Sequence, residues 1–194
     1  MASLAASIAK VGSNTLLSRI LGFVRDLLLA RLFGADAATD AFFVAFKIPN
    51  FMRRLFAEGS FSLAFVPVLS RAHVEAPDGL RARGIVQRLL GMQVLVLGPI
   101  LLLAALFPRE IVNVILDFPE LQRQELAADL FQYLIHYTLL ISLAAVLMGL
   151  LNSLQQFLVP ALAPLLFSVA VIAAILLLHQ RLGIFSVVAG VLVG

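Results

Sequence analysis

Apolar residues run along this chain in blocks parted by short polar interruptions, and the block lengths match a lipid bilayer. From Leu130 to Gln180 there is no Asp, Glu, Lys or Arg. Coiled as helix, those residues reach about 76 Å against roughly 30 Å of hydrocarbon, so the stretch holds at least two spans. The pattern as a whole predicts a first span over residues 13–33, closed by a Gly34-Ala35-Asp36 turn, and a second segment over 39–70. A third follows over 85–107, a fourth over 126–151 and a fifth over 157–178. A sixth begins near Leu182 and has 13 residues when the sequence stops.

The punctuation refines these segments. Pro49 and Gly59 are the expected bend points of the second, because proline removes an N–H and crowds the preceding turn. It reads as one bent helix, with a split near Glu58-Gly59 as the alternative. Residues 71–83 are polar and basic and form a connection. Gly84, Gly91 and Gly98 recur every seven residues, so they share a helix face that would admit a close neighbour. The connection over 108–125 carries an apolar patch over 111–116, which predicts a short helix lying at the interface. Ser13, Asn14 and Thr15 read as helix-start residues, and residues 152–156 with Pro160 as the turn between spans four and five. The expected fold is therefore all-α: a polytopic transmembrane helical bundle of about five complete spans and a truncated sixth. A helix of 13 residues is too short to cross, so the sequence reads as part of something longer.

Composition agrees. Hydrophobic residues make up 62% of 194 positions and charged residues 13%, with a mean hydropathy of +1.06, where a soluble domain carries about one-quarter charged residues. The absence of cysteine removes disulfides and thiolate metal sites. Residues 1–10 lack the basic-then-apolar order of a cleaved signal, so the first span is expected to act as the targeting signal and stay in place. The net charge of +3 would suggest nucleic acid only as a solvated patch; here the basic residues sit in or beside apolar runs. Arg71, Arg81, Arg83 and Arg88 form the largest basic block, which places that connection, and with it the N-terminus, on the cytoplasmic side.

The chemistry concentrates in residues 13–60, which hold Arg19, Arg25, Lys47, Arg53 and Arg54 with Asp26, Asp40 and Glu58. A mid-bilayer Lys or Arg costs roughly 2.5–3.5 kcal/mol when it faces lipid, so these side chains must face water, one another or an anion. Asp40, Lys47 and Arg54 are spaced by seven and share a stripe unless Pro49 rotates it. Two readings stay open. In one, a water-filled cationic cavity holds a phosphate-bearing substrate, which the planar guanidinium fork can engage without ever losing its charge. In the other, Arg19–Asp26, Lys47–Asp40 and Arg54–Glu58 neutralise each other and merely hold helices together. Five bases against three acids leave positive charge seeking an anion. His136 reads as a helix-packing hydrogen-bonder, and Tyr133 and Tyr137 as packing or interfacial anchors. No metal-ligand spacing, P-loop, dinucleotide fingerprint or nucleophile elbow is present, so no cofactor and no enzymatic chemistry are expected.

The runs SRILGFVRDLLLARLFGA (residues 18–35) and TDAFFVAFKIPNFMRRLFAEGSFSLAFVPVL (39–69) closely resemble the start of the MurJ/MviN family of lipid II flippases. LLNSLQQFLVPALAP (150–164) resembles that family's connection between spans four and five. The resemblance implies an exporter fold of two six-helix lobes and two further helices in the bacterial cytoplasmic membrane. It implies lipid II, the undecaprenyl-pyrophosphate-linked peptidoglycan precursor, as the substrate, moved from the inner to the outer leaflet. It also implies that Arg19, Arg25 and Arg53 line a central cationic cavity, with Asp40, Lys47 and Glu58 in the functionally sensitive stretch. Membrane potential or a coupled cation can drive the reset. Residues 1–194 would then be most of the N-terminal lobe, without the second lobe that alternating access needs, and are expected not to flip lipid alone. An exporter of another polyprenyl-linked saccharide, a membrane enzyme acting on polyprenyl phosphates, and a non-transporting scaffold are the competing classes; the enzyme lacks a nucleophile, acid pair or metal site here.

Overall fold

The computed structural model describes residues 2–34, 36–57, 60–75, 80–115 and 121–194, and these form eight helices. In order they are α1 (Ala2–Phe33), α2 (Ala37–Ala57), α3 (Ser60–Glu75), α4 (Leu80–Leu106), α5 (Pro108–Ile115), α6 (Leu121–Ser153), α7 (Leu158–Leu182) and α8 (Phe185–Val193). Three of them, α4, α6 and α7, are long and apolar enough to cross a membrane. With α1 reaching 32 residues but interrupted by charge, the chain is an all-helical, multi-pass membrane protein.

Helix ends follow local chemistry. Gly34 takes φ +64° as its N–H donates to the Ala30 carbonyl at 2.9 Å, closing α1 where the sequence places a turn. Asp36 then accepts the Ala37 N–H at 2.7 Å at the start of α2. Between α6 and α7 the chain turns through Gln155 at φ 58°, and the Gln156 N–H reaches back to Leu151 O at 2.8 Å.

Several expectations change. The second segment is described over α2 and α3, and the choice between one bent helix and a split near Glu58-Gly59 falls on residues 58–59, outside the described residues. Pro49 does not end α2; it is buried inside it. The polar connection is shorter than expected, because α3 continues to Glu75 and α4 already begins at Leu80. Alternation of charged and apolar residues there suits helix as well as loop. Ser13, Asn14 and Thr15 do not start a helix but lie within α1. The short helix after α4 is present as α5.

The chain divides into two units, Met1–Thr39 with Phe157–Gly194, and Asp40–Gln156. In the second, α6 is the central element, packed by α3, α4 and α5. Leu69, Val86 and Val146 from α3, α4 and α6 form a buried cluster, with Ile85, Leu89, Leu90 and Leu150 against it. The side chain of Gln93 in α4 is buried and donates from Nε2 to the Ser142 carbonyl of α6 at 3.2 Å. Its Oε1 and the hydroxyl of buried Thr138 have no hydrogen-bond partner among the described residues. Interhelical polar contacts within membranes contribute on average about 0.6 kcal/mol, and an orphaned acceptor works against that gain. Gln93→Leu, which keeps the volume, is therefore expected to change stability by less than about 1 kcal/mol. A thermal melt in detergent followed by circular dichroism checks it; a large loss would show that the amide holds α4 to α6.

In the other unit, α7 packs on both α1 and α8. Gly190 makes the α7–α8 approach possible. A Cβ there would lie 2.7 Å from Val171 Cα and 3.0 Å from Ala174 Cβ, and at Gly194 one would lie 3.0 Å from Ala170 Cβ. Gly190 and Gly194 are a small-xxx-small pair facing α7. The expected glycine stripe behaves otherwise: nothing described lies within 4 Å of a Cβ placed at Gly84, Gly91 or Gly98.

Candidate functional site

The basic residues singled out in the sequence divide between the two units. Arg19 and Arg25 stand on α1. Asp40, Lys47, Arg53 and Arg54 stand on α2, within the second unit, and Glu58 lies outside the described residues.

On α1, Arg19 is exposed and has no hydrogen bond or ion pair among the described residues. Arg25 is held. Its Nε and Nη2 both donate to Asp26 Oδ1, at 2.9 and 2.8 Å, and its guanidinium carbon sits 5.8 Å from the centre of the Phe167 ring of α7. Only 27% of the Arg25 side chain is exposed, against 68% for Asp26. Asp26 therefore pairs with its neighbour and not with Arg19, which lies two turns, about 10 Å, away along the helix. The Arg19–Asp26 pairing is not made.

α2 runs on through Pro49. Asp40, Lys47 and Arg54 are all exposed. Arg53, a helical step from Arg54, is half-buried and donates from Nε to Asn50 Oδ1 at 3.1 Å, one turn earlier. The neutral amide orients the guanidinium. Asp40 is not joined to Lys47; Arg123 Nη1 of α6 lies 3.7 Å from its Oδ2. Lys47 has no ion pair among the described residues. Packing fixes the other side of α2: Phe46 stacks on Phe42 at 5.6 Å and meets Tyr137 of α6 at 5.9 Å.

Three partners had no signal in the one-dimensional pattern or only a weak one. Asn50 could have been found, since positions three apart on a helix are neighbours. Arg123 and Phe167 are brought in from distant helices. Among the remaining candidates, His136 is exposed and Nδ1 lies 3.3 Å from Tyr133 O of its own helix, so it does not bond between helices. Tyr137 is buried packing and Tyr133 is exposed.

The Asp40–Arg123 contact is long and more than a third open on the Asp40 side, at 57% exposure. Screening limits such a pair to at most about 1 kcal/mol. A double-mutant cycle of Asp40→Asn and Arg123→Gln, read by thermal unfolding in detergent, is expected to give a coupling below that value. A coupling several times larger would mark a buried structural pair.

What the arrangement offers chemically is uneven: Arg19 and Lys47 make no ion pair among the described residues, Arg53 is oriented by Asn50, and Arg25 and Asp40 are engaged by Asp26 and Arg123. A family model described as "Lipid II flippase MurJ" matches residues 29–194. The probable lipid II flippase MurJ of Buchnera aphidicola subsp. Schizaphis graminum is 38% identical over 168 residues, 86% of this chain and 32% of that protein. That of Aquifex aeolicus is 36% identical over 182 residues, covering 92% and 35%. The lipid II flippase MurJ of Burkholderia cenocepacia is 37% identical over 188 residues, covering 95% and 36%. A solved structure, "Lipid II flippase MurJ, inward closed conformation", superimposes with a TM-score of 0.83 at 30% identity over 95% of this chain and 39% of that one. The chain thus spans about a third of the length of these relatives, and over that length it belongs to the MurJ family of lipid II flippases.

Proposed function

We propose that this chain forms the N-terminal lobe of a lipid II flippase of the bacterial cytoplasmic membrane, with the N-terminus on the cytoplasmic side. Its part in transport is electrostatic. Arg19, Arg25 and Arg53 attract the pyrophosphate of the precursor, and Lys47 adds a point charge. Asp40 and, by sequence position, Glu58 keep the basic stretch from collapsing onto one anion. The polyprenyl tail stays in the bilayer while the head group crosses between two lobes that rock about it.

The observation that carries this reading is the superposition on the inward-closed flippase at 30% identity. Basic side chains on α1 and on α2 supply what an anionic head group needs, because burying such groups without a counter-anion is unfavourable. The basic block Arg71, Arg81, Arg83 and Arg88 supports the orientation; Arg81 within it pairs with Glu75.

The test is complementation of bacteria depleted of their own flippase, using the complete gene that carries this sequence. Arg19, Arg25 and Arg53 are each changed to Ala at matched expression. Rescue by the parent and failure of the Arg19 and Arg53 variants supports the reading. Rescue by all three variants would make the arginines structural, and failure of a well-expressed parent would point to another exported lipid.

A further inference from the structure

An open groove of about 600 Å³ runs between α4 and α6, lined by Leu90, Gly91, Val94, Leu95, Leu143 and Leu147. Its walls are hydrocarbon, and Gly91 leaves its floor low because nothing described stands over it. The uncharged run of α4 begins at Leu89 and continues to Leu106, 18 residues, about 27 Å of helix. The groove therefore starts at the edge of the hydrocarbon layer and descends from there.

Charge stands at its mouth. Arg83, Gln87, Leu90 and Val94 follow one another at spacings of four and three, and so do Arg88, Gly91 and Leu95. Each set shares a helix face, so the two arginines flank the mouth with the Gln87 amide between them. Arg83 and Arg88 are exposed and make no ion pair or hydrogen bond among the described residues. Arginine at this depth snorkels to the phosphate level, where a forked donor suits phosphate oxygens.

We propose that this groove is a binding site for an anionic phospholipid, with the phosphodiester held by Arg83 and Arg88 and one acyl chain lying along Gly91 between α4 and α6. A zwitterionic lipid could fill the hydrocarbon trough equally well but would bring a cation toward two guanidinium groups. The net negative head group is what the charge selects. The site is built from α4 and α6 and uses none of the arginines of α1 and α2.

These 194 residues contain no tryptophan, so a tryptophan placed among them reports locally once the signal of the parent protein is subtracted. Leu95→Trp, at a rim position that is 76% exposed, is introduced into the complete protein in phosphatidylcholine nanodiscs, with the parent protein as the blank. Bromine-labelled phosphatidylglycerol or bromine-labelled phosphatidylcholine is then added at equal mole fraction. The phosphatidylglycerol is expected to quench the added tryptophan with about five-fold higher apparent affinity, a preference of the size arginine gives at an anionic surface. Arg83→Gln with Arg88→Gln is expected to abolish the preference while leaving quenching by phosphatidylcholine in place. Equal quenching by both lipids in the Leu95→Trp protein would overturn the proposal, and that comparison stands even if the double variant fails to insert. A preference that survives loss of both arginines would overturn it too.

Discussion

Arg19→Ala is expected to lose rescue of flippase-depleted cells, with transport falling about ten- to a hundred-fold, the loss of one charged hydrogen-bonding group, while protein levels stay normal. The separation between activity and abundance is the informative part. Arg19 is exposed on α1, and its removal breaks no hydrogen bond or ion pair among the described residues. Arg25 differs: it holds Asp26 through two N–H donors and lies against Phe167. Arg25→Ala strands Asp26 and strips a contact between α1 and α7, so activity and abundance are expected to fall together. Arg19→Lys keeps the charge and loses the fork, which predicts an intermediate. Normal rescue by Arg19→Ala at normal abundance would remove Arg19 from the site and shift the weight of anion capture onto α2.

The same contrast shows how far the sequence could be read. Apolar block length predicts α4, α6 and α7 to within a few residues, because lipid sets the length of a span and leaves few alternatives. Gly34 was legible as a helix end because an αL position favours glycine, and α5 because its apolar patch is too short to cross. Ion pairing was not legible. Spacing suggested Arg19–Asp26 and Lys47–Asp40, whereas Asp26 takes Arg25 and Asp40 takes Arg123. Periodicity states which residues share a face of one helix. It does not state which other helix arrives there, and Arg123 and Phe167 come from elsewhere in the chain. Nor does it decide whether residues 39–70 are one helix or two, since neither Pro49 nor Gly59 has a fixed consequence: Pro49 was absorbed into α2.

Glycines teach that lesson most sharply, and they carry the largest expected effect on folding. Gly84, Gly91 and Gly98 have the regular heptad that invites a packing interpretation, yet nothing described approaches them. Gly190 and Gly194, four apart, sit where α8 closes on α7. At Gly190 the obstacle to a side chain is the Cα of Val171 at 2.7 Å. A rotamer change cannot move a backbone atom, so even Gly190→Ala requires the helices to separate. Overpacking of this kind costs about 1–3 kcal/mol. Gly190→Leu, with three further carbons facing Val171 and Ala174, is expected to exceed that and to leave little folded protein in the membrane. Gly98→Ala is the matched control: it meets open space and improves helix propensity by up to about 1 kcal/mol, so its melting temperature should hold or rise. Purified yield and thermal unfolding in detergent read both variants. If Gly190→Leu melts with the parent, the α7–α8 contact is not part of the working fold, and the close approach through Gly190 loses its meaning.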